Sequence, residues 1–190
     1  MPRKPRQFMD QGYYHLIGRG NNRLSVFTIP GGYQTFKELL FEAKDEYPWK
    51  LSHYCLMPNH FHLLGQIHKG TDLPKLMQFL LHGYSRWYHK KADYVGHLWQ
   101  GRYKSPLIEK ESYFLECGRY IERNPVRADL VQKMEDHPWS SYRYYAFGEQ
   151  NRLIDEDPYY AQLGSDPTER QHQYRDFTRL QTPYEPILTA

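Results

Sequence analysis

Two histidines, His60 and His62, flank Phe61 in the run Met57-Pro58-Asn59-His60-Phe61-His62-Leu63-Leu64. The apolar residues around them read as a strand, and strand side chains alternate faces, so both imidazoles point one way and Phe61 the other. Buried polar rings need compensation by a hydrogen bond or a metal. Paired neutral imidazoles with one oxygen ligand suit an open site for Mg²⁺ or Mn²⁺, able to polarise a phosphate and leave room for it. Two packed, hydrogen-bonded histidines are the plainer alternative. A closed zinc site that adds Cys55 and His53 is a third, but the spacing fits no paired-cysteine pattern and Cys117, the other cysteine, sits on an apolar helical stripe.

An oxygen ligand is available later in the chain. At 100° per residue, Phe114, Cys117 and Ile121 form a narrow apolar stripe, with Tyr113, Tyr120 and Asn124 beside it. Pro125 disfavours helical geometry at Asn124, so the helix is expected to end there with Tyr120 one turn before it. Asn124 then offers an amide oxygen and Tyr120 a phenol at one helix terminus.

The elements that position these groups follow from periodicity. Residues 12–18 read as a strand, followed by turn chemistry in Gly18-Arg19-Gly20-Asn21-Asn22-Arg23. Phe36, Leu39, Leu40, Ala43 and Tyr47 recur at helical spacing over 33–47, stopped near Pro48. Residues 49–56 and 60–67 are two strands joined by a tight turn, Leu73 to Tyr88 traces a long amphipathic helix, and 97–109 is extended, a strand or hairpin. The order β-α-β-β-α-β predicts an α+β fold of the ferredoxin-like kind, an antiparallel sheet with helices on one face, plus C-terminal helical additions.

Composition narrows the partner. Residues 1–148 carry 21 Lys/Arg against 14 Asp/Glu, and residues 149–190 carry 4 against 8, so the body is +7 and the end −4. A basic body with 16% aromatic residues suits single-stranded nucleic acid, whose phosphates need cations and whose bases need flat surfaces. The chain divides into a domain over 1–148 and an acidic tail or extension over 149–190, whose Asp155-Glu156-Asp157 cluster could mimic phosphate and compete for a basic groove. There is no apolar run long enough for a membrane span and no secretory signal, and two cysteines make no disulfide framework, so a cytoplasmic location is expected.

The motifs YYHLIGRGNNR, SHYCLMPNHFHLL, LWQGRYKS and YIERNPVRADLV, in this order across nearly all of 12–131, resemble the single-tyrosine HUH transposases, specifically the REP-associated tyrosine transposases. The resemblance implies that His60 and His62 are metal ligands, that Tyr120 is the nucleophile, and that Asn124 completes the metal site. Related insertion-sequence transposases usually carry Gln there, one methylene longer. It implies cleavage of single-stranded DNA beside a hairpin at palindromic repeats, with a divalent metal, Mg²⁺ or Mn²⁺. Candidate DNA contacts are Arg3, Lys4 and Arg6 in the N-terminal arm, Arg19, Asn21, Asn22 and Arg23 at the turn, and Arg86, Lys90, Arg102 and Lys104. Monomer and homodimer both fit. Two other readings stay open: a nucleic-acid-binding sheet that cuts nothing, and a metal-dependent nuclease that uses water.

Overall fold

A computed structural model describes residues 8–109 and 111–180. Three strands form an antiparallel sheet in the order β1 (Tyr13–Arg19), β3 (His60–Ile67), β2 (Trp49–Met57). Phe61, Leu63 and Ile67 of β3, with Tyr14 and Leu16 of β1, face a core closed by α1 (Gly32–Glu46) and α2 (Leu73–Ala92). Phe36, Leu40 and Ala43 supply the α1 stripe and Leu76, Met77, Leu80 and Tyr84 the α2 stripe, at the spacing read from the sequence.

The opposite face of the sheet meets α3 (Glu111–Arg127), where Phe114, Cys117 and Ile121 pack on Cys55, Met57 and Leu64. A bulge turns β2 toward it. The register slips between Leu51 and His53, so Trp49 and Leu51 face α1 and α2 whereas His53, Cys55 and Met57 face α3. Gly118 makes the approach possible, since a Cβ there would lie 2.6 Å from the His53 ring.

The predicted fourth strand is not regular. Residues 98–108 follow β1 through isolated bridges, Gly20 with Trp99, Ile17 with Lys104 and Tyr14 with Leu107. Gly101 at a positive φ and Pro106, which has no N–H to give, prevent a continuous ladder. The free edge of β2 is covered as well: Leu56 N donates to Trp139 O at 2.8 Å, and Ser141 N to Tyr54 O at 3.0 Å.

Helix α3 runs past its expected end at Asn124 to Arg127, with Pro125 inside it. Proline leaves the Ile121 carbonyl without its usual N–H partner. The Asn124 side chain fills the gap: Nδ2 donates to Ile121 O at 3.2 Å and to Tyr120 O at 2.9 Å. The helix stops where Asp129 turns left-handed and Leu130 N reaches back to Pro125 O.

After α3 come a short helix α4 (Tyr142–Phe147) and a terminal helix α5 (Pro167–Arg179), which share a third cluster built on Tyr142, Tyr145, Tyr160 and Tyr174. The acidic cluster of this region is not a free phosphate mimic. Asp155 pairs with Lys44 at 2.7 Å and accepts from Leu51 N, and Asp157 is buried against His53. Among the described residues no helix is long and apolar enough to cross a membrane.

Candidate active site

His60 opens β3 directly after the Pro58-Asn59 turn, and the register sets it between Arg19 of β1 and Met57 of β2. Two residues on, His62 lies between Ile17 and Cys55. Their rings sit 4.9 Å apart on the face covered by α3. Tyr120 of α3 brings its ring to 6.0 Å from His62 and 6.2 Å from His15, both nearly edge-on. The sequence-predicted pair and the sequence-predicted tyrosine therefore meet.

His15 was not among the predicted residues. It is fully buried on β1, and its Nε2 lies 2.8 Å from His62 Nδ1. Strand alternation from Tyr13 would have placed it on this face, but only once β1 was known to pair with β3. The Asn59 carboxamide oxygen, 2.6 Å from His60 Nδ1, accepts that ring proton and leaves His60 Nε2 as a lone pair. His62 reaches the same state if its Nδ1–H donates to His15. Its Nε2 is buried and has no hydrogen-bond partner, as has His15 Nδ1. An orphaned, buried imidazole nitrogen beside a second free lone pair fits a cation, and the partner on the far ring nitrogen is the usual way a ligating histidine is held.

Electrostatics keep these rings neutral. Burial pushes His15 down to about 3. Burial and the nearby Arg19 bring His60 down to about 4. His62 is held well below the usual imidazole range by burial, then by His15, His60, Arg19 and Arg127. Neutral imidazole is the metal-binding form. Among the described residues no group of three or more His, Cys, Asp or Glu is disposed to hold a metal, so a cation at His60 and His62 would need a donor of another kind. Asn124, with Nδ2 spent on helix carbonyls, keeps Oδ1 as its acceptor. The zinc alternative fails on His53, both of whose nitrogens are bonded to carboxylates.

Arginines ring the site. Arg127 stacks on Tyr120 with its guanidinium carbon 4.9 Å from the ring centroid. A cavity of about 430 Å³ is lined by Arg19, Arg23, Asn59, His60, Ala128 and Leu130. Asn21 and Asn22 share the 3₁₀ turn with Arg23, where Asn22 and Arg23 adopt positive φ. Arg102 and Lys104 are exposed along the irregular edge beside β1. Arg86 and Lys90 are exposed on α2, in the layer on the other side of the sheet, and are not brought to this site. Arg3, Lys4 and Arg6 lie outside the described residues.

Comparison with known proteins decides the family. The profile of IS200-like transposases matches residues 8–124, more than half of the chain. The chain belongs to the IS200-like transposase family. A REP-associated tyrosine transposase of Escherichia coli (strain K12) is 22% identical over 135 residues, 68% of this chain and 75% of that protein. A putative REP-associated tyrosine transposase of Haemophilus influenzae is 25% identical over 117 residues, 56% of this chain and 66% of that one. A solved structure of a REP-associated tyrosine transposase bound to a REP hairpin shares the fold, with a TM-score of 0.66 and 19% identity over 83% of this chain and 93% of that one. A role as a DNA transposase and endonuclease follows from membership of the IS200-like family. In this IS200-like transposase the matched segment ends at Asn124, so the last turn of α3, α4 and α5 lie beyond it.

Proposed function

We propose that this chain cuts and rejoins single-stranded DNA beside hairpins formed by palindromic repeats, through a 5′-phosphotyrosine on Tyr120. The observation that carries the reading is the Tyr120 ring 6.0 Å from His62, whose buried Nε2 has no partner. Residues 1–148 form the catalytic domain and residues 149–190 its extension. A protein of the same fold is a REP-associated tyrosine transposase bound to a REP hairpin, which supports a hairpin as the partner here.

Tyrosine in water has a pKa of about 10, so an unaided phenol is a poor nucleophile at neutral pH. His60 and His62 would hold Mg²⁺ or Mn²⁺ through Nε2, with Asn124 Oδ1 as the third protein ligand. When bound, the cation neutralises charge on the scissile phosphate and orients it. The Tyr120 oxygen bonds to phosphorus as the phosphorus–O3′ bond breaks; the phenol proton passes to water and the departing 3′-oxygen takes one up. One phosphodiester replaces another, so a 3′-OH from a second end reverses the step and joins strands without a nucleotide cofactor. Arg19 and Arg23 line the cavity beside His60 and, with Asn21 and Asn22 in the turn between them, are the candidates for the strand leading from the hairpin.

Incubation with Mn²⁺ and labelled hairpin-bearing single-stranded DNA is expected to give a denaturation-resistant protein–DNA band that Tyr120→Phe abolishes and Tyr113→Phe retains. Cutting that survives Tyr120→Phe would mean a water nuclease. Binding without cutting by the native chain would mean a recognition module.

A further inference from the structure

The turn of α3 that outlasts Pro125 carries a residue with no role in the scheme so far. Arg127 lies seven residues after Tyr120, two turns along one helix face, and helical side chains lean toward the N-terminus. Its guanidinium therefore reaches back over the Tyr120 ring, 4.9 Å from the centroid. A helix broken at Asn124 would carry Arg127 elsewhere; the Asn124 amide bonds to Tyr120 O and Ile121 O sustain the register that delivers it.

On the reading of Tyr120 as the nucleophile, we propose that Arg127 is a further catalytic residue, a guanidinium that stabilises negative charge as it passes from the phenol to the scissile phosphate. Charge is added at that oxygen and spread over the phosphoryl group, and a guanidinium stacked 4.9 Å from the ring centroid puts a positive charge beside the phenol. The planar fork can stack on the ring and donate to a non-bridging phosphate oxygen, which an ammonium cannot do together. Arg19, paired in register with His60, adds positive charge from the sheet side, and both arginines act on His62. Arg127 is exposed in the free protein, where water weakens its field; a bound strand covers it and strengthens that field when the reaction occurs.

The exposure also makes the test clean, because substitution there removes no buried packing. Single-turnover adduct formation and hairpin affinity are measured on the full chain with Mn²⁺ at fixed salt. Arg127→Gln is expected to slow the adduct about 100-fold, the usual scale for one electrostatic donor, with affinity changed less than about threefold. Arg127→Lys, which restores the charge without the fork, is expected to recover about tenfold of that loss. Adduct formation by Arg127→Gln at the native rate, or equal losses of rate and affinity, overturns the assignment while leaving Tyr120 as nucleophile. An adduct that persists in Tyr120→Phe overturns both.

Discussion

Beneath α3 lies a fully buried ionic network whose removal has a calculable effect. His53 Nδ1 is 3.0 Å from Glu122 Oε1 and His53 Nε2 is 2.8 Å from Asp157 Oδ2, all inaccessible to solvent. Ser141 and Tyr174 donate to the two Glu122 oxygens at 2.5 and 2.6 Å. Burial alone would lower the His53 pKa, but its hydrogen bonds to Asp157 and Glu122 and their charges outweigh burial and raise it to about 9. Against about 6.5 unfolded, that gap is worth about 3 kcal/mol. A raised folded pKa stabilises fully below about 6.5, and the contribution is lost as pH climbs through 9. About 2 kcal/mol of the His53 contribution should therefore go between roughly pH 6 and 8. Asp157→Asn keeps an oxygen near His53 and leaves the histidine paired with Glu122, so no lone charge is stranded. Losing one charged hydrogen bond is expected to cost about 1.5–3 kcal/mol near pH 6. The His53 pKa falls with it, so the variant loses less on the way to pH 8 and the two curves converge. Urea midpoints across pH 6–8.5 measure this, below the range where Cys55 and the buried tyrosines add their own alkaline losses. Parallel curves, or an unchanged midpoint at pH 6, would refute the coupling.

Below about pH 6.5 the opposite sign holds, since His15 at about 3 and His60 at about 4 resist protonation when folded and the unfolded chain takes up the protons; stability should fall with acid, giving a maximum near neutrality in a midpoint-versus-pH curve. His60→Ala and His62→Ala are each expected to abolish Mn²⁺-dependent cutting with hairpin affinity nearly unchanged, and wholesale unfolding of both by circular dichroism would point to structural histidines. Arg19→Ala and Arg23→Ala should each weaken hairpin binding and reduce the salt slope by about one, whereas Arg86→Ala and Lys90→Ala should leave a binding isotherm unmoved, because α2 lies across the sheet. Asn124→Ala should cost about 1–2 kcal/mol by denaturant titration, through two lost bonds to helix carbonyls.

The legible parts of this sequence were those with one local period. The α1 and α2 stripes and the β3 alternation depend on neighbours a few residues apart, and they form as read. The meeting of His60, His62 and Tyr120 came from motif resemblance, and the helix register alone could not have chosen Tyr120 over Tyr113. What stayed hidden depends on distant partners. The slip between Leu51 and His53 is set by both faces of β2 at once, toward α1 on one side and α3 on the other. The last turn of α3 is not legible locally, because the rule for residues before proline ignores a side chain able to take the orphaned carbonyl. Asp157 looked like surface charge; only contact with His53, 104 residues away, makes it a core residue.

These hidden features converge on the rotation of α3. Glu122 follows Tyr120 by two residues, about 200° around the helix, so the network grips the side of α3 away from the phenol. A tyrosine hydroxyl stands on the order of 8–9 Å from its helix axis, so a 10° roll moves it roughly 1.5 Å. Misplacement by about 1 Å can cost a hundredfold in rate. Apolar contacts of Phe114, Cys117 and Ile121 slide at little cost over such a distance, but charged bonds of 2.8–3.0 Å to a histidine seated on β2 do not. Ser141, Asp157 and Tyr174, which complete the grip, all lie beyond the family-matched segment. On the proposed mechanism, the extension thus acts on the chemistry from within the fold, by fixing the angle at which Tyr120 meets His62.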